Sequence, residues 1–460
     1  MMFGEHKVRE MPPAPRFRDI IGPSFILLGL GLGSGELILW PYLTSNYGMG
    51  IIWAAILGVA LQFFMNMEIE RYTLVRGESI FVGFARISRF LPVWFIFSTL
   101  IPWIWPGIIV SSGVLFAGLF GITNTTLFSI VLLILVGAIL TLGPVLYKTQ
   151  ESFQKIILLI GTPFILVLAF AVAETPDWQA LAGGIIGRGE GFWFLPAGIP
   201  IAAFLAAIAY SGAGGNLNLA QSFYIKEKGF GMGKYSGRIT SILTGKAEEM
   251  KLTGAKFTTE PSQIKRFRQW WRLINIEHGI VFWLMGTVTI VFLAFLAFSS
   301  VFGTGTANNI NFLFTEAMVL GERTLPIVGK AFVAIAGIML FSTQLGVMDT
   351  TSRILTENLT LTSGKHFPAH TIRKNFYLFL WIQIVLGIAI IASGFSQPLA
   401  LLTLAAVLNA GAMFVHIGIT LWLNLTKLEK ELRPSVFRVS VMVFAFLFFG
   451  YFAFRTLTSL

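Results

Sequence analysis

Eleven stretches of about 20 mostly apolar residues follow one another along the chain, and each is long enough to cross the hydrocarbon core of a bilayer. With 55% hydrophobic and only 12% charged residues, the 460-residue sequence is too apolar for a soluble protein of two domains. It therefore predicts an all-α polytopic membrane protein. The predicted spans, numbered 1 to 11 in chain order, are 20–43, 49–71, 92–120, 126–147, 154–174, 193–225, 272–300, 325–360, 373–393, 397–424 and 435–456.

The charged residues indicate how the spans are oriented. Clusters of Lys and Arg precede span 1, follow spans 2, 8 and 10, and lie between spans 6 and 7, whereas the alternate connections hold almost none. By the positive-inside rule the N-terminus is expected in the cytoplasm and the C-terminus outside. The net charge of +11 is explained by these loops, so no nucleic-acid partner is expected. The expected location is a bacterial inner (plasma) membrane.

The order of the spans predicts an inverted repeat. Residues 1–19 are expected to form a cytoplasmic tail, 20–174 a first repeat of five spans, and 193–424 a second repeat that includes a cytoplasmic loop at 226–271. Span 11, at 435–456, is an addition. Because five is an odd number, the two repeats would cross the membrane in opposite directions, as is common among secondary transporters. The tail has no apolar core, so no cleaved signal peptide is expected before span 1.

Glycine-rich runs interrupt two spans at corresponding places in the two repeats, at 29–36 in span 1 and at 211–216 in span 6. Lipid offers no hydrogen bonds, so backbone that stops being helical at this depth must line a protein-enclosed or wet cavity. Glycine tolerates the positive φ of such a break. We therefore expect spans 1 and 6 to unwind at mid-membrane around a substrate site. Close packing of helices through small residues is the alternative explanation.

Several protein classes are disfavoured by what the sequence lacks. It contains no Cys, which excludes disulfides and thiolate metal sites. No Walker A sequence is visible, and no spacing typical of a catalytic triad, a carboxylate pair or a histidine cluster occurs inside the spans. Neither an enzyme nor a cofactor is expected, and an ion gradient would supply the energy. The rival class is a sensor that kept the fold, although the loop at 226–271 is short for a regulatory domain. Eleven spans suffice for a monomer.

Short motifs resemble those of the Nramp metal transporters. The family's GPxF, DPGN and YG pattern aligns without gaps on residues 22–25, 33–36 and 47–48. Similar stretches at 62–78 in span 2 and at 344–357 in span 8 extend the resemblance over most of the chain. The resemblance implies a LeuT-type fold with a 5+5 inverted repeat, in which helices 1 and 6 are unwound at mid-membrane.

The metal-binding residues of that family are not retained here. The Asp and Asn of DPGN match Gly33 and Glu36, and the family's MPH motif in span 6 matches Ala213, Gly214 and Gly215. The thioether that favours soft transition metals is therefore missing. Span 3, where the family's proton route uses carboxylates, has no acidic residue. A transition-metal site of the family's type is not expected in this chain.

The two breaks are expected to bind a small anion. The helical segment that follows a break begins with free backbone amides and with the positive end of its dipole. Both are directed toward the site. The triplet at 33–35 also resembles the GSG that receives a substrate carboxylate in amino-acid transporters of this fold. Bicarbonate is the preferred substrate; the alternatives are Mg²⁺ or Mn²⁺ held by Glu36 and break carbonyls, and a small amino acid or carboxylate. The expected binding residues are Gly33, Ser34, Gly35, Ala213, Gly214, Gly215 and Asn216.

Glu36 and His416 are the candidates for proton coupling. An ionised Glu36 would repel an anion at the same amide end, so we expect it to carry one proton per substrate in symport. Capping of the second half of span 1 is the alternative role of Glu36. His416 in span 10 would relay the proton, or is a structural histidine. Sodium coupling through the hydroxyls of Ser342 and Thr343 is less favoured.

Asp349, Arg353 and Glu357 in span 8 follow at i, i+4 spacing, so they form one helical stripe. We expect this stripe to act as an inner gate; a structural salt bridge is the alternative. Its expected partners at the end of span 2 are Glu68, Glu70 and Arg71. Glu277 and His278 in span 7 are given no substrate role. In span 3, two prolines at 102 and 106 predict a kink.

Overall fold

The computed structural model describes residues 4–142, 147–236, 252–305, 309–363 and 369–458. Within these ranges ten helices are long and apolar enough to cross a membrane. They are Pro23–Tyr47 (span 1), Met49–Arg76 (span 2), Leu91–Phe120 (span 3), Thr125–Leu142 (span 4), Gln154–Val172 (span 5), Pro261–Val301 (span 7), Pro326–Ser363 (span 8), His370–Ala392 (span 9), Pro398–Lys427 (span 10) and Val436–Thr456 (span 11). The predicted all-α integral membrane protein is confirmed.

Span 6 consists of two short helices, Ile201–Ala209 (span 6a) and Gln221–Lys228 (span 6b), joined by a non-helical stretch and a 3-10 turn at Gly215–Ala220. Its first helix begins at Ile201 and not at 193 as predicted. Pro196 and Pro200 lack the N–H that a helix interior needs, and Pro200 is the residue that caps the helix. Smaller helices that do not span lie at Phe17–Ile20, Ile80–Ile87, Thr175–Ile185 and Phe312–Arg323.

Span 7 begins earlier than predicted, at Pro261 and not at 272. Its first turns are amphipathic: Ile264 and Phe267 are buried, whereas Lys265 and Arg268 are exposed. Part of the segment expected to be a loop at 226–271 is therefore helical, and residues 237–251 lie outside the described residues. Span 3 is interrupted between Trp103 and Gly107, so the predicted kink is confirmed.

The spans differ in how deeply they lie in the bundle. In span 1, 94% of the most apolar window is buried inside the protein, compared with 33% in spans 4, 5 and 9 and 17% in span 11. Span 1 therefore forms the centre of the bundle, where it contacts spans 5, 6, 7, 8 and 10. The exposed apolar side chains of the outer spans form a lipid-facing surface.

The N-terminal tail is held at one end of the bundle. Its strand β1 (Lys7–Val8) pairs in parallel with β2 (Ala255–Lys256), which precedes span 7. The Met11 amide then donates to Gln263 Oε1 at 2.7 Å, and Trp270 Nε1 donates to the Pro12 carbonyl at 2.9 Å. We call this end of the bundle the tail end and the opposite one the far end.

Candidate functional site

Span 6 unwinds at the predicted place. Residues 211–214 are not helical, and Gly214 and Gly215 have φ of +75° and +55°, a conformation that favours glycine. The Gly214 amide donates to Gln62 Oε1 of span 2 at 3.3 Å. No group in the described part of the chain accepts a hydrogen bond from the amides of Gly212 and Ala213. The break thus leaves two buried backbone donors free between span 6a and the 3-10 turn at Gly215–Ala220.

Span 1 takes a different form from the one predicted. It stays helical and passes through a π-helical segment at Leu32–Leu39. The Thr343 hydroxyl of span 8 accepts from the Gly33 amide at 3.1 Å and donates to the Gly29 carbonyl at 3.1 Å. A hydroxyl inserted into the i→i−4 ladder locally replaces a helical hydrogen bond, which explains the wider turn. The expected unwinding of helix 1 is corrected to this π-helical segment, in which the chain stays helical.

The two glycine runs pack directly against each other. A Cβ added to Gly31 would lie 2.1 Å from the Gly212 carbonyl oxygen, and one added to Gly35 would lie 1.7 Å from the Tyr210 carbonyl oxygen. A Cβ on Gly33 would approach Thr343 Oγ1 to 2.7 Å. Close packing, the alternative explanation of the glycines, therefore accounts for these positions in span 1. Ser34 is buried beside them.

Side chains from two further spans hold the break in span 6. Asn216 Nδ2 donates to Thr99 Oγ1 of span 3 at 2.9 Å, and Asn409 Nδ2 of span 10 donates to the Tyr210 hydroxyl at 2.9 Å. His416 Nε2 lies 3.2 Å from the Gly215 carbonyl oxygen. Span 10 therefore places His416 at the break, where the sequence analysis expected a proton relay.

Several buried polar atoms without partners lie in span 1, just after the break in span 6, and in span 10. Both carboxylate oxygens of Glu36 are buried and make no hydrogen bond within the described ranges. The same holds for Asn216 Oδ1, both amide atoms of Asn218, Asn409 Oδ1 and His416 Nδ1. Buried polar groups need partners, so this region is suited to water or a polar solute. Over the described residues, no group of three or more His, Cys, Asp or Glu side chains is placed to hold a metal ion.

The charged stripe of span 8 faces span 6b. Arg353 Nε donates to Asp349 Oδ2 at 2.9 Å, and Ser79 donates to Glu357. Tyr224 of span 6b lies 2.9 Å from the hydroxyl of Thr350. Lys226 of span 6b is buried, with no hydrogen-bond partner for Nζ among the described residues.

The expected partners of this stripe in span 2 have other contacts. Arg71 Nε pairs with Glu68 Oε2 at 2.7 Å, and Arg438 of span 11 pairs with Glu68 Oε1 at 3.3 Å. Glu70 accepts from Gln221 of span 6b at 2.7 Å. The gate network expected across spans 2 and 8 is corrected to separate clusters, because the end of span 2 turns toward spans 6b, 10 and 11.

Sequence reasoning gave no role at the site to Gln62 and Tyr210, and it considered Thr343 only for sodium coupling. Gln62 binds both the Gly214 amide and the Ala209 carbonyl, the latter at 3.1 Å. The signal was present for Gln62, a lone amide in an apolar stretch of span 2. Thr343 offered a weaker signal, because a threonine in a membrane helix usually bonds to its own backbone.

Comparison with solved structures shows which fold the chain adopts. It is similar to a manganese transporter of Eremococcus coleocola, with a TM-score of 0.70 and 14% identity over 99% of this chain and 90% of that one. It is also similar to a nucleobase-cation-symport-1 family transporter solved in a closed conformation with bromovinylhydantoin bound (TM-score 0.54, 14% identity, 95% of this chain and 84% of that one).

A third similar structure is MhsT in complex with L-phenylalanine, with a TM-score of 0.52 and 14% identity over 99% of this chain and 100% of that one. These neighbours share the LeuT-type fold, so the expected fold is confirmed. No family model matches the chain, and no curated protein matches it in sequence. At these identities the likeness shows the fold and not the family.

Proposed function

We propose that this protein is a secondary active transporter that moves a small anion, with bicarbonate as the best candidate, together with protons by alternating access. The observation that carries the proposal is the break in span 6, where the amides of Gly212 and Ala213 have no partner in the described structure. Tyr210 and Asn409 fill the positions where Gly214 and Gly215 would carry a Cβ, so the proposed contact of a small oxyanion is with the free amides of Gly212 and Ala213. Asn216 follows directly in the chain, and Ser34 is buried between Gly33 and Gly35 of span 1.

Glu36 is the proposed carrier of the coupled proton. A buried carboxylate without any hydrogen-bond donor is costly in its ionised form, so it needs a proton or a cation as its partner. A protonated Glu36 no longer repels an anion at the adjacent break. His416, at the Gly215 carbonyl, is the proposed relay. The stripe of Asp349, Arg353 and Glu357, with span 6b, is the proposed inner gate.

Transport of a divalent cation is the second candidate function. The two free oxygens of Glu36 would suit Mg²⁺ or Mn²⁺, and the fold is that of a manganese transporter. A cation site with one carboxylate would keep much of its hydration shell, since the described residues offer no cluster of three ligands. A small amino acid or carboxylate remains the third candidate.

The test is uptake into proteoliposomes that contain a pH dye, under an imposed membrane potential. Bicarbonate, acetate, chloride and glycine are compared with Mg²⁺ and Mn²⁺. We expect an internal pH change that requires bicarbonate and is unaffected by Mn²⁺. Acidification driven by either metal without bicarbonate would replace the anion proposal with the cation one.

Glu36→Gln is expected to abolish the pH change while the protein still binds bicarbonate. Glu316→Gln is the matched control, because Glu316 is also buried with both oxygens unpartnered in the described structure but lies in the helix Phe312–Arg323 outside the spans. The control is expected to keep the pH change. Proton movement that survives in Glu36→Gln contradicts the coupling role.

A further inference from the structure

A buried cluster of titratable side chains lies at the tail end, away from the break in span 6. Glu277 of span 7 accepts from the Gly22 amide at 3.2 Å and from the Ser24 hydroxyl of span 1. Ser24 Oγ is 2.7 Å from His278 Nδ1, which is 3.4 Å from Glu70 Oε1. We call these residues, together with Gln221, the tail-end cluster. The side chains of Glu70, Glu277 and His278 are at most 1% exposed.

The donors in the cluster can be assigned from its geometry. The Ser24 hydroxyl has one hydrogen, which it gives to Glu277, so it must accept from His278. His278 is therefore protonated at Nδ1; its Nε2 has no partner in the described structure, and its ring stacks on Phe63 and on Phe282. Both carboxylates then act only as acceptors. Glu277 holds the start of span 1, and Glu70 holds Gln221 of span 6b.

No cation forms a direct ion pair with either carboxylate within the described residues. Arg438 faces Glu70 and His278 but is paired with Glu68 at 3.3 Å. Lys155 faces Glu277 but is paired with Glu151 at 2.5 Å, as is Lys228 at 3.0 Å. Two buried carboxylates that are linked only through neutral groups repel each other when both are ionised. Binding one proton at the pair is therefore favoured over keeping two negative charges.

Water can reach the edge of this cluster. Lys155 and Lys228 are 28% and 24% exposed at their side chains, and both donate to the Ile21 carbonyl next to Gly22. A second polar route leads from the break in span 6. Gln62 binds the break, Glu70 lies two turns further along span 2, and Asn66 between them has no partner for either amide atom in the described structure. Asn66 is therefore placed to bind water.

We propose that Glu70 and Glu277 form a proton-binding site that latches the tail ends of spans 1 and 6b to spans 2 and 7. A proton taken from water forms an O–H bond on a Glu277 oxygen, which turns that acceptor into a donor. When the proton is on Oε1, this new donor faces the Gly22 amide, which is itself a donor, and the hydrogen bond that holds the start of span 1 is lost. The latch goes beyond the proposed function and does not depend on which substrate is moved.

The chain contains no Cys, so a single introduced thiol can report on the latch in the full-length protein. Ser222→Cys places the thiol in span 6b at a fully buried position next to Gln221. Ser435→Cys places it at an exposed position and corrects for the ionisation of the thiol itself. The measured quantity is the ratio of the two labelling rates with a water-soluble maleimide in proteoliposomes without substrate.

We expect this ratio to rise by about fivefold or more as the pH falls from about 8 to about 5, which corresponds to a shift of roughly 1 kcal/mol in the latch equilibrium. Glu277→Gln is expected to hold the ratio high at every pH. Glu277→Asp is expected to restore the pH dependence, and Glu316→Gln to leave it unchanged. A ratio that does not change with pH, or a normal pH dependence in Glu277→Gln, would overturn the proposal.

Ser24→Ala is the second variant, because it leaves both carboxylates in place and removes only the donor between them. It is expected to raise the ratio at about pH 8 while a pH dependence remains. If the labelling-rate ratio of Ser24→Ala at about pH 8 equals that of the protein with Ser24 in place, the latch is contradicted. Because no substrate is present, failure of this test leaves the transport proposal standing, and a latch that titrates survives even if bicarbonate is not moved.

Discussion

Gly35 and Gly161 are both glycines inside membrane helices, yet the space around them differs completely. A Cβ on Gly35 would lie 1.7 Å from the Tyr210 carbonyl oxygen, whereas a Cβ on Gly161 of span 5 meets no atom within 4 Å. The residue type alone indicates neither situation. At Gly35 the missing side chain is what lets spans 1 and 6 approach, so the site depends on it.

Gly35→Ala is therefore expected to lower the thermal unfolding midpoint in detergent, with a cost of about 1–3 kcal/mol from overpacking against a rigid carbonyl. Gly161→Ala is the matched control and is expected to be neutral or stabilising by up to about 1 kcal/mol, because alanine favours a helix. Equal midpoints for the two variants would contradict the close approach of spans 1 and 6.

The conformation of span 1 depends on a side chain of the neighbouring span 8. The run at 29–36 predicts a weak helix, and unwinding was the expected outcome. The helix instead continues, because the Thr343 hydroxyl of span 8 bonds both the Gly33 amide and the Gly29 carbonyl. In lipid both backbone groups must be satisfied, and this hydroxyl satisfies them without a break. The form of span 1 thus depends on span 8.

Thr343→Val is expected to lower the unfolding midpoint by an amount that corresponds to about 1–3 kcal/mol, since it leaves backbone groups buried without partners. Thr343→Ser keeps the hydroxyl and should recover most of the loss. The control is Thr360→Val in the same helix, where the hydroxyl bonds only the Thr356 carbonyl of its own helix at 2.9 Å. If Thr343→Val is as stable as Thr360→Val, the proposed insertion of the Thr343 hydroxyl into the backbone hydrogen bonds of span 1 is contradicted.

Glu78 connects the N-terminal tail to the helix bundle through buried polar contacts. This carboxylate, between span 2 and the helix Ile80–Ile87, contacts His6 at 3.0 Å and Arg86 at 2.9 Å, and it accepts from the Tyr72 hydroxyl at 2.6 Å. Burial by itself would raise the pKa of Glu78, but the hydrogen bonds and charges of His6 and Arg86 hold that pKa at about 2. The ionised form therefore stabilises the folded tail.

The depressed pKa of Glu78 predicts a loss of stability in acid. Ionised Glu78 makes its full contribution to the stability of the folded protein above the usual pKa of 4.5. This contribution declines as the pH falls toward about 2. Glu78→Gln is expected to cost roughly 3 kcal/mol at neutral pH and to remove this acid dependence. The control is Glu10→Gln, because Glu10 forms only an exposed pair with Arg266. Hydrogen exchange at the Arg9 amide, which donates to the Lys256 carbonyl at 2.8 Å, measures whether the tail detaches; slow exchange in Glu78→Gln would refute the role.

The sequence by itself determined the features that depend on local composition. The length of the apolar stretches predicted the spans, the glycine-rich run at 211–216 predicted the break in span 6, and two prolines predicted the kink in span 3. The Nramp-like motif spacing predicted the LeuT-type fold. The spans, the break and the kink follow from backbone conformation and from transfer into lipid, which act on neighbouring residues, whereas the fold was implied by the resemblance alone.

Which polar groups contact each other depends on the tertiary structure and could not be predicted from the sequence. The contact of Thr343 with Gly33 joins residues 310 positions apart, and that of Glu277 with Ser24 joins residues 253 apart. The sequence indicated that a buried polar side chain needs a partner, since lipid supplies none. It could not indicate the partner, because the packing of distant helices selects it. Glu277 and His278 were therefore given no role, although they lie in the tail-end cluster.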